Sequence, residues 1–154
     1  MKLSLYVNGT LCHSEIAPGT TLLEFLRGKG LMGAKAGCDT GSCGLCTVWV
    51  DEVPILSCTY PAARAQGKHV TTIEGMRQQA ALLGRYLAEN GSEQCGYCSP
   101  GLIMTVLALE KEHPAATDAE ISAYLAGNLC RCSGYAGQLA GIRAYLNRGK
   151  GALE

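Results

Sequence analysis

Eight of the nine cysteines fall into two sets of four whose spacing suits metal chemistry. Cys38, Cys43 and Cys46 read C-x4-C-x2-C, and Cys58 follows after eleven intervening residues. This is the spacing of a plant-type [2Fe–2S] ferredoxin, whose irons are held by thiolates. Such a cluster carries a charge of about −2, and about −3 once reduced, so it needs many hydrogen-bond donors around its sulfurs. Gly37, Gly41 and Gly44 allow a backbone to wrap closely and aim N–H groups inward. A structural zinc site is the competing reading, but zinc sites are commonly built from two C-x2-C knuckles. Here one arm is C-x4-C and lies among glycines, which favours the cluster.

The second set is less specific. Cys95 and Cys98 form C-x2-C, and Cys130 and Cys132 form C-x-C after 31 intervening residues. Both pairs precede expected helices, whose N-terminal N–H groups and partial positive charge suit an anionic cluster. Zinc and a dithiol redox pair compete with a cluster at this set. A second relay in series with the first makes more chemical sense than two unrelated centres. The ninth thiol, Cys12, is expected on a strand as a buried, inert side chain. His13, His69 and His113 are scattered, with no catalytic spacing, and read as surface or capping residues. Trp49 reads as core or as the rim of a cluster pocket. There is no Ser-His-Asp set, phosphate loop or carboxylate pair, so the chain alone offers no place to transform an organic substrate.

The elements that must position these cysteines can be read along the chain. Alternating apolar residues over 3–7, then Asn8-Gly9, then 11–16 predict a hairpin with a type I′ turn. Thr21 and Glu24 form a capping box opening a helix to about residue 27. A glycine-rich loop follows, then strands at 47–50, 53–56 and 69–72. From residue 78 the periodicity turns helical, with helices expected over 78–88, 100–112, 118–126 and 136–146 and a frayed tail at 149–151. Ser99 is expected as N-cap with Pro100 at the first helical position. The reading is α+β, a mixed sheet with one helix over residues 1–76 and a four-helix unit over 77–154.

Lys+Arg and Asp+Glu are both 13, so the formal net charge is zero, which argues against a nucleic-acid partner. Charged residues are 17%, below the usual ~25%, which suggests a surface partly hidden against partners. No stretch is long and apolar enough to span a bilayer, and the first residues do not form an export signal. A reducing cytoplasm is therefore expected, where clustered cysteines read as metal ligands before disulfides.

Three segments carry a family resemblance that covers essentially the whole chain: Gly37-Cys38-Asp39-Thr40-Gly41-Ser42-Cys43-Gly44-Leu45-Cys46-Thr47-Val48, Gln94-Cys95-Gly96-Tyr97-Cys98-Ser99-Pro100-Gly101, and Gly127-Asn128-Leu129-Cys130-Arg131-Cys132-Ser133-Gly134-Tyr135. In this order they resemble the iron–sulfur small subunit of the molybdenum hydroxylases, the xanthine dehydrogenase and aerobic carbon monoxide dehydrogenase group. Thr71-Thr72-Ile73-Glu74-Gly75 is similar to that family's junction between domains. The resemblance implies a ferredoxin-like β-grasp domain followed by an all-α four-helix domain. It implies an outer [2Fe–2S] cluster on Cys38, Cys43, Cys46 and Cys58 and an inner one on Cys95, Cys98, Cys130 and Cys132. Gln94 and Cys132 are similar in place to residues between the inner cluster and a pterin.

The implied partners are a large subunit with molybdenum and a pyranopterin, and commonly a medium subunit with FAD, in a hetero-oligomer such as a dimer of heterotrimers. Electrons would pass singly from the molybdenum site through the inner cluster, then the outer, to flavin or another acceptor. The alternative is a free-standing two-cluster ferredoxin-type carrier, which would usually show a strongly charged docking face. A zinc-stapled interaction module is the third reading. Three places depart from the family pattern: Leu45 for a common alanine, Ser99 for a frequent threonine, and 136–139, which is less apolar than the usual start of the last helix.

Overall fold

The computed structural model describes residues 1–149, so the end of the expected tail, 150–151, lies outside the described residues. Strands β1 (Lys2–Val7) and β2 (Thr10–Glu15) pair antiparallel with Val7 opposite Thr10, leaving Asn8 and Gly9 as the turn. Both turn residues have positive φ, 49° and 81°, as the type I′ turn demands. Leu3, Leu5 and Val7 face inward, against helix α1 (Leu22–Gly28). The Thr21 side chain accepts from the Glu24 N–H while the Thr21 N–H donates to the Glu24 carboxylate at 2.7 Å, completing the capping box.

Strands β3 (Thr47–Val50), β4 (Val53–Leu56) and β5 (His69–Thr71) complete a five-stranded sheet in the order β2-β1-β5-β3-β4, with β5 parallel to β1. A mixed sheet crossed by one helix is the expected β-grasp architecture. Helices α2 (Arg77–Glu89), α3 (Ser99–Glu112), α4 (Asp118–Tyr124) and α5 (Ala136–Leu146) form the second layer.

The two layers share β3, all four of whose residues are buried. Val48 and Val50 pack into the sheet-side core, while Trp49 turns into the helical core and donates its Nε1–H to the Met104 carbonyl at 2.9 Å. Helix α3 is buried continuously from Gly101 to Leu109, because the sheet covers one side and helices cover the other. This explains its lack of an amphipathic stripe.

Three local expectations change. Cys98, not Ser99, is the N-cap of α3; Ser99 is its first residue, and its hydroxyl donates to the Glu93 carboxylate at 3.1 Å instead of capping. Helix α4 stops at Tyr124, two residues short, in a turn through Leu125 and Ala126. Cys12 is only half-buried, resting on the edge of the sheet core.

The junction is tied by side chains. Asn8 exchanges two hydrogen bonds with Thr72, both 2.9 Å. The Thr72 hydroxyl donates to Glu74 at 2.6 Å, and the Gly33 N–H donates to the same carboxylate at 2.8 Å. Burial pushes the Glu74 pKa up, but the bonds from Thr72 and Gly33 outweigh it, and the net shift is downward. A depressed carboxylate contributes stability above its unfolded pKa of roughly 4.3 and loses it as pH falls through the folded value. Glu74→Gln should therefore cost about 1–2 kcal/mol at pH 7, with a narrower gap between wild type and variant at about pH 3. Urea unfolding at both pH values checks this, and an equal gap at both would refute it.

Candidate metal centres

The loop from Lys29 to Cys46, between α1 and β3, carries three of the first four thiols, and Cys58 enters from just beyond β4. A Cβ at Gly37 would lie 2.6 Å from a Leu45 methyl, which would have to move, and 3.2 Å from the Cys43 sulfur. The backbone N–H groups of Thr40, Ser42 and Cys43 reach the Cys38 sulfur, and that of Leu45 reaches Cys43. The Cys43 thiol and these amides hold the Cys38 pKa down to about 6, whereas burial and then the Cys46 thiol push Cys58 up to about 12. These amides are the inward-facing donors expected of the glycine-rich wrap.

The second four thiols come from the turn before α3 and the turn before α5. The Cys132 and Cys95 sulfurs lie 3.6 Å apart, and Cys98 interacts with Cys130. Burial first, then the Cys130 thiol, drives Cys98 up to about 12. At Cys130 burial also acts upward, but the Ser133 hydroxyl and the Ser133 and Cys132 N–H groups outweigh it, and the pKa falls to about 7. The Ser133 N–H stands 3.4 Å from that sulfur. Tyr135 adopts a left-handed conformation, φ 67°, and its hydroxyl accepts from the Cys130 N–H at 3.0 Å.

Within each foursome the strongest interactions are pairwise, Cys38 with Cys43, Cys46 with Cys58, Cys95 with Cys132, and Cys98 with Cys130, with weaker ones across the pairs. A structural zinc draws four ligands onto a single centre, whereas a two-iron cluster takes two thiolates on each iron. The pairwise donor set fits the second.

The two sets face each other. Cys38, Cys43, Cys95, Cys98, Cys130 and Cys132 line one cavity of about 520 Å³, together with Tyr97, Leu129 and Tyr135. The Leu129 N–H donates to the Cys43 carbonyl at 2.9 Å, and the Tyr97 hydroxyl to the Ala36 carbonyl at 3.0 Å. Cys46 is buried on the sheet side. Cys95, Cys132 and Gln94 are exposed, as are the Tyr97, Leu129 and Tyr135 side chains, so the second set opens outward through an apolar rim. The sequence reading overlooked the Leu129 link, which is a backbone bond without a residue-type signal, and Gln138, noticed only as a loss of apolar character.

Residues 5–72 match the family described as the 2Fe-2S iron-sulfur cluster binding domain, and residues 72–143 match the [2Fe-2S] binding domain family. The chain is 47% identical over 134 residues to the xanthine dehydrogenase iron-sulfur-binding subunit of Escherichia coli O157:H7, covering 84% of each. It is 38% identical over 151 residues to the nicotinate dehydrogenase small FeS subunit of Eubacterium barkeri, covering 96% of each. Among solved structures it is similar to quinoline 2-oxidoreductase from Pseudomonas putida 86, with a TM-score of 0.88 and 34% identity over 96% of this chain and 94% of that one.

Proposed function

Because this chain belongs to the iron–sulfur subunits of the molybdenum hydroxylases, with an electron-transfer role in an oxidoreductase complex, we propose that its eight paired thiols hold two [2Fe–2S] clusters. Cys38, Cys43, Cys46 and Cys58 hold the outer cluster, and Cys95, Cys98, Cys130 and Cys132 the inner one. Bound there, each supplies a centre that takes or gives one electron. The pairing of the thiols, two by two, carries this reading.

The chain's own contribution is to fix the two ligand sets in relation to each other. One hydrogen bond, Leu129 N–H to Cys43 carbonyl, joins a residue adjacent to Cys130 directly to a residue of the other set. The outward-facing set, rimmed by Gln94, Tyr97 and Tyr135, suits docking to a large subunit that carries molybdenum and pyranopterin, with Gln94 and Cys132 facing the pterin. Electrons would then pass from that face to the Cys38 side and on to FAD, in a medium subunit of a hetero-oligomer such as a dimer of heterotrimers, or to another acceptor. We take residues 1–76 and 77–154 as the two cluster-binding units, and the cytoplasm, where thiols stay reduced, as the compartment. No helix among the described residues is long and apolar enough to cross a membrane.

Anaerobic purification from the host, with metal and labile sulfide analysis and EPR, tests the proposal. The expected result is about four iron and four sulfide per chain, two distinct reduced signals, and co-elution with two larger chains. A colourless protein, or one bearing a single bound ion per foursome, would overturn it, and elution alone would favour a free-standing carrier.

A further inference from the structure

We propose that Gln138 sets the reduction potential of the inner cluster by donating an amide hydrogen bond to the Cys98 sulfur, an inference that rests on the ligand assignment above. Gln138 lies in the first turn of α5 and is 6% exposed. Its Nε2 stands 3.9 Å from Cys98 Sγ. Around it the wall is mostly apolar: Leu102, Ile121, Leu125 and Leu139 line the adjoining cavity of about 260 Å³, with Ser122, Asn128 and Tyr135 as its other polar members.

A primary amide in such a wall is costly unless it is paired, and leucine or methionine would fill the space without that cost. What it faces explains its presence. A ligand thiolate has lone pairs and no proton, so the amide must turn its N–H₂ toward it. A donor to the thiolate favours the more negative, reduced form, which raises the potential. The position strengthens the effect, because Cys98 is a screened ligand while Cys95 and Cys132 are exposed, and a hydrogen bond acts more strongly away from water. One electron is taken up at this centre, and Gln138 neither gains nor loses a proton.

The test is a mediated dithionite titration of the anaerobically purified complex, following the two reduced EPR signals. In Gln138→Leu and Gln138→Met, which keep the bulk and remove the donor, the midpoint of one signal should fall. The expected drop is roughly 3- to 10-fold in the reduction equilibrium, or about 30–60 mV at 59 mV per tenfold for a one-electron couple. The other signal should stay in place, with iron and sulfide unchanged. Leu139→Met, in the same wall, should move neither midpoint. Unmoved midpoints in a fully loaded Gln138→Met protein would overturn the proposal, as would an equal shift in Leu139→Met. A wild-type complex lacking labile sulfide would instead overturn the ligand assignment beneath it.

Discussion

Cys43→Ala should lower the iron content from about four to about two per chain and erase one of two reduced EPR signals. Cys43 is buried and paired with Cys38, so its loss leaves the C-x4-C arm with one thiolate and an iron without its second protein ligand. On the proposed assignment Cys46 and Cys58 are already taken up by the other iron, so they do not replace it. The damage should stay local. The substitution leaves in place the backbone carbonyl that accepts from the Leu129 N–H, so the turn carrying Cys130 and Cys132 keeps its anchor. The second signal should therefore persist, and the large subunit should still load its own centre. Turnover with the physiological acceptor should fall below about one per cent, because removing a relay lengthens the jump rather than slowing the chemistry. Wild-type iron content, or wild-type turnover with that acceptor, would refute both the assignment and the order of the relay.

Gly101→Ala should strongly destabilise this chain. Gly101 lies in the first turns of α3, and a Cβ there would meet the Gly44 carbonyl and sit 2.9 Å from Leu45 Cα. These are backbone atoms of the cysteine loop, held on their other side by the turn at 127–129, so neither partner can yield cheaply. Gly44 itself has φ +72°, and a side chain there would collide with the Gly127 carbonyl. Three backbones are thus stacked in contact where the sheet layer meets the helices. Overpacking of this kind costs about 2–3 kcal/mol, which at this size lowers Tm by roughly 5–10 °C. Gly127→Ala is the control, because a Cβ there meets nothing within 4 Å, and its Tm should move much less. Calorimetry of the two variants decides it, and equal melting temperatures would refute the stacked-backbone account.

Much of this was legible locally. A capping box, an Asn-Gly turn and an alternating strand are patterns within a few residues, and each appears where its residues stand, at Thr21, Asn8 and Lys2–Val7. Ser99 shows where local reading stops. Its type suits an N-cap, but a carboxylate six residues back, at Glu93, offers the hydroxyl a charged acceptor, and the helix starts one residue earlier than expected. Trp49 shows the same limit on a larger scale. A short strand of β-branched and aromatic side chains says that both faces are covered, not that one belongs to a helix 55 residues away.

The amino-acid order by itself determined the two cysteine foursomes, the glycines that let a chain close on sulfur, and the family, because cysteine spacing and backbone permissiveness are properties of short segments. Only the tertiary structure decided which thiol stands beside which, that the Leu129 N–H reaches Cys43, and that Gln138 meets Cys98 across 40 residues. Those contacts depend on how α3 is held between the sheet and α2, and on how α5 packs against α2. The direction in which a buried side chain points follows from the packing of whole elements, and no spacing rule within one segment encodes it.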